Sequence, residues 1–492
     1  MKEMKEGRII LIAKLTNISA IGIGSGRDDH SDRDIIKTLY PIGTTGAILP
    51  LEEIKDETKF ERYPFIPATS FMGKLNRLIS DETNINKITL KNYWGESEEN
   101  ASYIDCSDIL LSKLPIDSGN SVNLTETRDG IRIDSKTGTV AKGAKFDYEL
   151  LGRGGEFNLT MIFRVEDNFN FTHELASLVV KYLKSGIDLG AKSTVGFGKI
   201  VGEANLFQID FEKQDQLKQW ISNKLTHNAL SALNNIQSIH LNNPFEISAT
   251  LRIKNSLIIR SYSTDPKQPD ATHLKSGGTN IISGTSIKGA LRGRAERILN
   301  TIQPSADITE VVLAALFGDV EKDEKDKQKV KPNGYTIPSR VFVDEITIDD
   351  DTVREEIQTR IQIDRFTGGT IDGALIEEVP LFPVKDKDQI KNFKIRVNNA
   401  RSIDKGLMLL LLKDLWSADL PIGGEKSIGR GVFEGIHASV EDGNKKYIFP
   451  DDLKNSEKIK EMQDLVEKFN SLDDIEFYQN RVNLYKTRRN GK

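Results

Sequence analysis

Cysteine is almost absent from this chain of 492 residues. Cys106 stands alone, which excludes an intramolecular disulfide framework and any cysteine-rich zinc site, and fits a reducing compartment. A long apolar run is also missing from the start, where MKEMKEGRIILIAKL offers only the five residues IILIA before Lys14. That is too short for a signal sequence or a membrane span, so the chain reads as soluble, cytoplasmic and without a membrane partner. Surplus positive charge is lacking too: the net charge is −5. Phosphate-binding proteins ordinarily carry excess Lys and Arg, yet acidic residues here gather in loops such as Asp28 to His30 and VEKDEKDKQ, while the end reads KTRRNGK. Charge therefore neither supports nor excludes a nucleic-acid groove.

Repetition is what the chain does have. PATSFMGKL at Pro67 returns as SGTSIKGAL at Ser283, 216 positions on, and YWGE at Tyr93 returns as LFGD at Leu316, 223 positions on. The pattern D-x-x-T-G-x-x-x-x-G-A starts at Asp134 and again at Asp364, 230 positions apart; LGAKSTVGFG at Leu189 returns as IGGEKSIGRG at Ile422, 233 positions apart. Four motifs in one order with slowly drifting offsets indicate a duplicated domain.

Each copy opens on a β-branched strand, RIILIAKLTNISAIGIGSG or FEISATLRIKNSLIIRSYS, followed by a helix expected to open at Thr69 or Ser70, and at Thr285 or Ser286. Further strands and a second helix, ASLVVKYLKSG or GLMLLLLKDLWSA, complete a β-α-β-β-α-β unit of ferredoxin-like, α+β type. The expected boundaries are 1–207 for the first unit, 208–243 for a helical linker, 244–440 for the second unit and 441–492 for a helical extension. DVEKDEKDKQKVKPNGYT, after Gly318, reads as a charged surface loop.

The glycine-rich turns Gly190–Gly198 and Gly423–Gly431 bring backbone N–H groups within reach of a phosphate; a tight helix-to-strand turn would use the same glycines. A Walker loop is disfavoured, because Ala191 separates Gly190 from Lys192 and the helix precedes the loop. The helix openings are a second phosphate seat, carrying Ser70 and Lys74 in one copy and Ser286, Lys288 and Arg292 in the other. Lys288 and Arg292 share a face at i, i+4; a solvated cationic face is the plain alternative.

Together these motifs resemble the RAMP superfamily, specifically the backbone subunits of type III CRISPR effector complexes, and the tandem arrangement resembles the fused backbone proteins of the III-D branch. The likeness spans roughly 1–205 and 244–440. It implies guide-RNA binding through Ser70, Lys74, Lys192, Ser193, Thr194, Gly196 and Gly198, and through Ser286, Lys288, Arg292, Lys426, Ser427, Gly429, Arg430 and Gly431. It implies a β-hairpin thumb in each copy, marked by Ile133, Asp134 and Thr137 and by Ile363, Asp364 and Thr367, that inserts between bases. It also implies target-RNA cleavage by a loop aspartate, matched here by Asp32 in SDRDIIK and by Asp270 in PDATHLK, 238 positions apart. Either carboxylate would accept a proton or hold a divalent cation, Mg2+ or Mn2+. His30 and His273 lie close enough to assist, or are ordinary loop histidines. The partners implied are guide RNA, target RNA, and other backbone and large subunits.

Three alternatives stay open: a non-catalytic scaffold of the same complex, an endonuclease that trims precursor guide RNA, and a nucleotide-binding regulator using the glycine loops. The lack of a convincing histidine pair weighs against the second.

Overall fold

Alternating burial marks the central strand of each copy, because successive side chains of a strand point to opposite faces. In Glu6–Asn17 the residues Ile9, Leu11, Ala13 and Leu15 are buried; in Phe245–Ile253 it is Phe245, Ile247, Ala249, Leu251 and Ile253. Apolar residues at helical spacing supply the cover: Phe71, Leu75 and Ile79 on one helix, Ile287, Leu291, Ala295 and Leu299 on its counterpart.

The computed structural model describes the chain apart from residues 1–3, 25–36, 41–60, 83–84, 96–100, 114–124, 134–136, 138, 167, 223–229, 237–243, 263–266, 303–304, 322–330, 332–333 and 488–492. Two compact units result: Met1–Arg128, Tyr148–Ser193 and Phe197–Asn242 form one, and Asp129–Asp147, Thr194–Gly196 and Asn243–Lys492 the other. The described helices are α1 (Ala68–Ser80), α2 (Lys87–Trp94), α3 (Phe169–Ser185), α4 (Gln214–Ile221), α5 (Gly284–Ile302), α6 (Ala306–Phe317), α7 (Ser402–Trp416), α8 (Ser456–Asn470) and α9 (Ile475–Thr487).

In the first unit, Glu6–Asn17 runs antiparallel between Lys199–Asp210 and Glu156–Glu166, and the short strands Ile104–Cys106 and Ile109–Lys113 pair with the outer side of Glu156–Glu166. Numbering the core strands in chain order, this is the 4-1-3-2 arrangement of a ferredoxin-like fold, with residues of α1 and α3 completing its core. The second unit repeats it: Val341–Val343, Ile390–Val397, Phe245–Ile253 and Phe433–Asp442 lie in the order 2-3-1-4, and α5 and α7 contribute to the core. The fold is therefore α+β with tandem ferredoxin-like units.

Three local expectations shift. Helix α1 starts at Ala68 and α5 at Gly284, so Ser70 and Ser286 lie inside the first turn. The start of α5 is organised by Ser283, whose hydroxyl donates to that of Ser286 at 2.9 Å. The interval 208–243, read as a helical linker, is helical only over Gln214–Ile221 among the described residues, while Ser231–Leu233 adds an edge strand to the first sheet. The extension begins with the strand Lys445–Phe449 and then forms α8 and α9. Helix α9 is fastened by Tyr478, whose hydroxyl donates to the fully buried Asp404 at 2.6 Å, with Arg340 donating to the same carboxylate at 2.5 and 2.9 Å. No described helix is long and apolar enough to cross a membrane.

Candidate nucleic-acid interface and cleavage site

The two glycine loops have one backbone. In each, the first loop strand closes on the last glycine, Leu189 N–H to Gly198 O and Ile422 N–H to Gly431 O, both at 2.8 Å. The last glycine then donates to the opening strand region, Gly198 to Ala20 at 2.8 Å and Gly431 to Ser256 at 2.7 Å. Left-handed φ values recur at the same places: 79° and 102° at Gly190 and Gly423, 57° and 55° at Lys192 and Glu425, 86° and 84° at Gly196 and Gly429, 77° and 71° at Gly198 and Gly431. A Cβ on Gly198 or Gly431 would overlap the carbonyl of Leu189 or Ile422, so glycine is required there by both conformation and space.

Side chains on that shared backbone differ. In the first unit Lys192 places its ammonium 3.6 Å from the Tyr148 ring centroid, Tyr148 meets Phe197 edge-on at 5.8 Å, and the buried Arg128, paired with Glu126 at 2.7 Å, lies over Phe197. A cavity of about 30 Å³ borders Lys192 and Tyr148, far smaller than a nucleotide.

In the second unit the equivalent positions carry Glu425, Glu378 and Arg430. Arg260 bridges Glu378 at 2.6 Å and Glu425 at 2.8 Å; Arg360 reaches Glu378 at 2.5 Å and also pairs with Glu425. Arg430, 2 % exposed, approaches Glu425 at 2.9 Å as a charge and donates to Gln358 at 2.6 Å. Burial pushes the Glu425 carboxyl up, but the hydrogen bond from Arg360 and the charges of Arg360 and Arg260 outweigh it and hold the group below its ordinary range. Sequence reasoning missed this five-residue lattice; the one available signal was Glu425 standing where the first copy has Lys192.

A small four-stranded sheet links this lattice to the expected cleavage site. Its order is Arg260–Tyr262, Ala271–His273, Ile376–Val379, Gln358–Arg360, with the central pair parallel. Between its last two members in the chain, Arg360 and Ile376, runs the second arm. Ile363 bridges Thr370, and Asp364 shapes the tip by accepting from Phe366 N–H and the Thr367 hydroxyl, each at 2.9 Å. Those bonds hold the Asp364 carboxyl below its usual range, so its work is turn formation. Phe366 at the tip is 100 % exposed, and Ile361, Ile363 and Leu375 are exposed as well.

Asp270 precedes the strand Ala271–His273 at the root of this arm. It is exposed, and Oδ2 accepts the backbone N–H of Glu377 at 2.9 Å; Oδ1 has no hydrogen-bond partner among the described residues. His273, expected as a loop residue able to assist, is instead a strand residue 2 % exposed. Its Nδ1 accepts from Ile259 N–H at 3.2 Å and its Nε2 donates to Ile281 O at 2.8 Å, which fixes a neutral tautomer. Burial pushes its pKa down to about 4, and acid–base service is withdrawn.

The other expected contacts divide. Lys426 and Ser427 are exposed on the second loop, and Ser193 and Thr194 are half-buried on the first. Ser70 is exposed one turn before Lys74, but the α1 N-terminus already receives a carboxylate, with Ala68 N–H donating to Asp108 at 2.8 Å. Lys288 is buried and donates to Ser339 Oγ at 2.8 Å and Val341 O at 3.0 Å; Arg292 donates to Gly318 O at 3.1 Å. Their shared helix face is packed against the protein, which corrects the solvated, RNA-facing reading of both. Burial, with the Arg292 charge adding, lowers the Lys288 pKa to about 7. Arg430 is likewise engaged internally. Asp32, His30 and Asp134 lie outside the described residues. Of the first arm, Thr125–Ile133 pairs with Val140–Leu151, Ile133 is exposed, and Thr137 bonds the Thr139 hydroxyl at 2.8 Å.

A profile of the RAMP superfamily matches residues 14–201 and 250–434, so the chain belongs to that superfamily and carries it twice. No curated protein matches it.

Proposed function

We propose that this tandem RAMP protein is a CRISPR-associated backbone subunit of the type III kind, in which both units hold guide RNA and Asp32, Asp270 or both cleave the paired target RNA. Membership in the superfamily supports the RNA-binding, CRISPR-associated part. The observation that carries the cleavage part is Asp270: an exposed carboxylate oriented by a backbone N–H at the root of a projecting arm, its second oxygen without a hydrogen-bond partner among the described residues.

The chemistry follows from the groups present. A target 2′-hydroxyl held in line attacks the adjacent phosphorus, the new O–P bond forms as the bond to the 5′-oxygen breaks, and the 2′ proton passes to Oδ1 of Asp270. The leaving 5′-oxygen takes its proton from water. An arm that displaces the neighbouring base would free the ribose to reach that geometry.

Among the described residues no group of three or more carboxylate, His or Cys side chains could hold a metal. One carboxylate fits Mg2+, which keeps several waters and binds through one or two carboxylates plus substrate phosphate. In that alternative Asp270 would be the protein ligand in place of accepting the proton, and the ion would supply charge neutralisation at the phosphoryl oxygens.

Asp270→Asn and Asp32→Asn, separately and together, test the reading in the assembled complex with metal added. One substitution should abolish one cut and the pair should abolish cleavage while guide-RNA binding persists. Survival of every cut in the double variant leaves the scaffold reading, which the bond between Asp270 and Glu377 N–H also favours, since a capping carboxylate does that work without chemistry.

A further inference from the structure

We propose that Arg260, Arg360, Arg430, Glu378 and Glu425 form a latch that positions the second arm by fastening both its ends to the second glycine loop. The inference rests on the reading above only where it concerns RNA. Arg360 is the last residue before the arm, and Glu378 lies on the strand by which the chain returns. Both ends therefore converge on Glu425, Arg360 directly and Glu378 through the arginines that bridge the two carboxylates, and Glu425 occupies a left-handed turn of the loop.

Among the described residues, no buried side chain of the arm itself fixes its direction. From Ile361 to Leu375 every side chain is exposed except Asp364 and Ala374, which are half-buried. The arm is thus a lever whose orientation is set at its root. There the anchoring groups are among the most enclosed in the unit: Glu378 is 1 % exposed and Arg430 is 2 % exposed. Three guanidiniums against two carboxylates give this enclosed cluster net positive charge, and Arg430 Nη1 has no hydrogen-bond partner among the described residues. Such a cluster holds only while every member is in place, because removing one partner leaves a buried charge uncompensated.

Asp270 gives the latch a functional consequence. It sits on the same small sheet and bonds the residue next to Glu378, so the angle of the arm also sets the arm's reach over that carboxylate. These five are positioning residues; none needs to touch a reacting atom.

The test uses the full chain with Cys106→Ser, and spin labels at Phe366→Cys on the tip and Lys445→Cys on an exposed strand of the same unit. The distance distribution should be narrow in that background and roughly twofold broader with Arg360→Gln, whose partly exposed side chain makes the substitution compatible with folding. Arg360→Lys keeps the charge but loses the fork, and should recover part of the narrowing. Glu425→Gln should broaden the distribution like Arg360→Gln, or unfold the unit as a buried latch would. An unchanged distribution in a folded Arg360→Gln protein overturns the proposal. Cleavage separates the two ideas: a tip broadened by Arg360→Gln, together with a complex of the unsubstituted protein that cuts no RNA, upholds the latch and removes the nuclease reading.

Discussion

The two glycine loops share a backbone down to matching φ values and hydrogen bonds, yet one is dressed with aromatic and cationic side chains and the other with a buried ionic lattice. The comparison separates what a duplicated domain must keep from what it is free to change. Backbone closure depends on glycine at a few positions where no other residue fits. The side chains that lie against it need only fill space and satisfy one another, which Lys192, Tyr148 and Phe197 do through ring faces and Glu425, Glu378 and Arg430 do through charge.

If the backbone is the shared element, Gly198→Ala and Gly431→Ala should damage their units equally. Each combines a left-handed φ with overlap on a carbonyl, so each should cost more than roughly 3 kcal/mol, read by chemical denaturation followed separately in the two units. A mild effect in one loop would break the equivalence.

If the side chains are the divergent element, Glu425→Gln and Lys192→Gln should differ. The first strands guanidiniums in an enclosed site and is expected to cost roughly 3 kcal/mol; the second removes a cation–ring contact worth about 1 kcal/mol or less. Hydrogen exchange resolved by unit measures both.

A smaller contrast is titratable. His273 has a pKa of about 4 in the folded chain, and the first unit has no fully buried histidine among its described residues. Above its ordinary value of 6.5 both states are neutral; as pH falls below that, the unfolded chain takes the proton and the folded one does not. The second unit should therefore lose roughly 2 kcal/mol between pH 7.5 and pH 5, a loss absent in His273→Asn relative to its own pH 7.5 stability.

Much of the fold was legible because its signals are local. Period-two burial in Phe245–Ile253, helical spacing from Ile287 to Leu299 and the repeated motif order each lie within one stretch of chain, and the ferredoxin-like assignment follows from them. Helix starts shifted by one or two residues because hydroxyls at Ser70 and Ser286 resemble caps wherever they stand near a helix opening. The candidate site was only partly legible. Asp270 was reachable through the family resemblance, but nothing in THLK shows that His273 turns inward, since which face of a short strand is buried depends on the sheet around it.

By itself, then, the sequence determined the duplication, the ferredoxin-like order and the glycine positions, since φ and steric clearance at a single residue are properties that residue type controls directly. Tertiary structure alone decided that Lys288 and Arg292 turn inward and that residues 260, 360, 378, 425 and 430 converge on one point. The reason is distance along the chain: an ion pair between residues up to 165 positions apart leaves no periodic trace, and only folding brings its charges together.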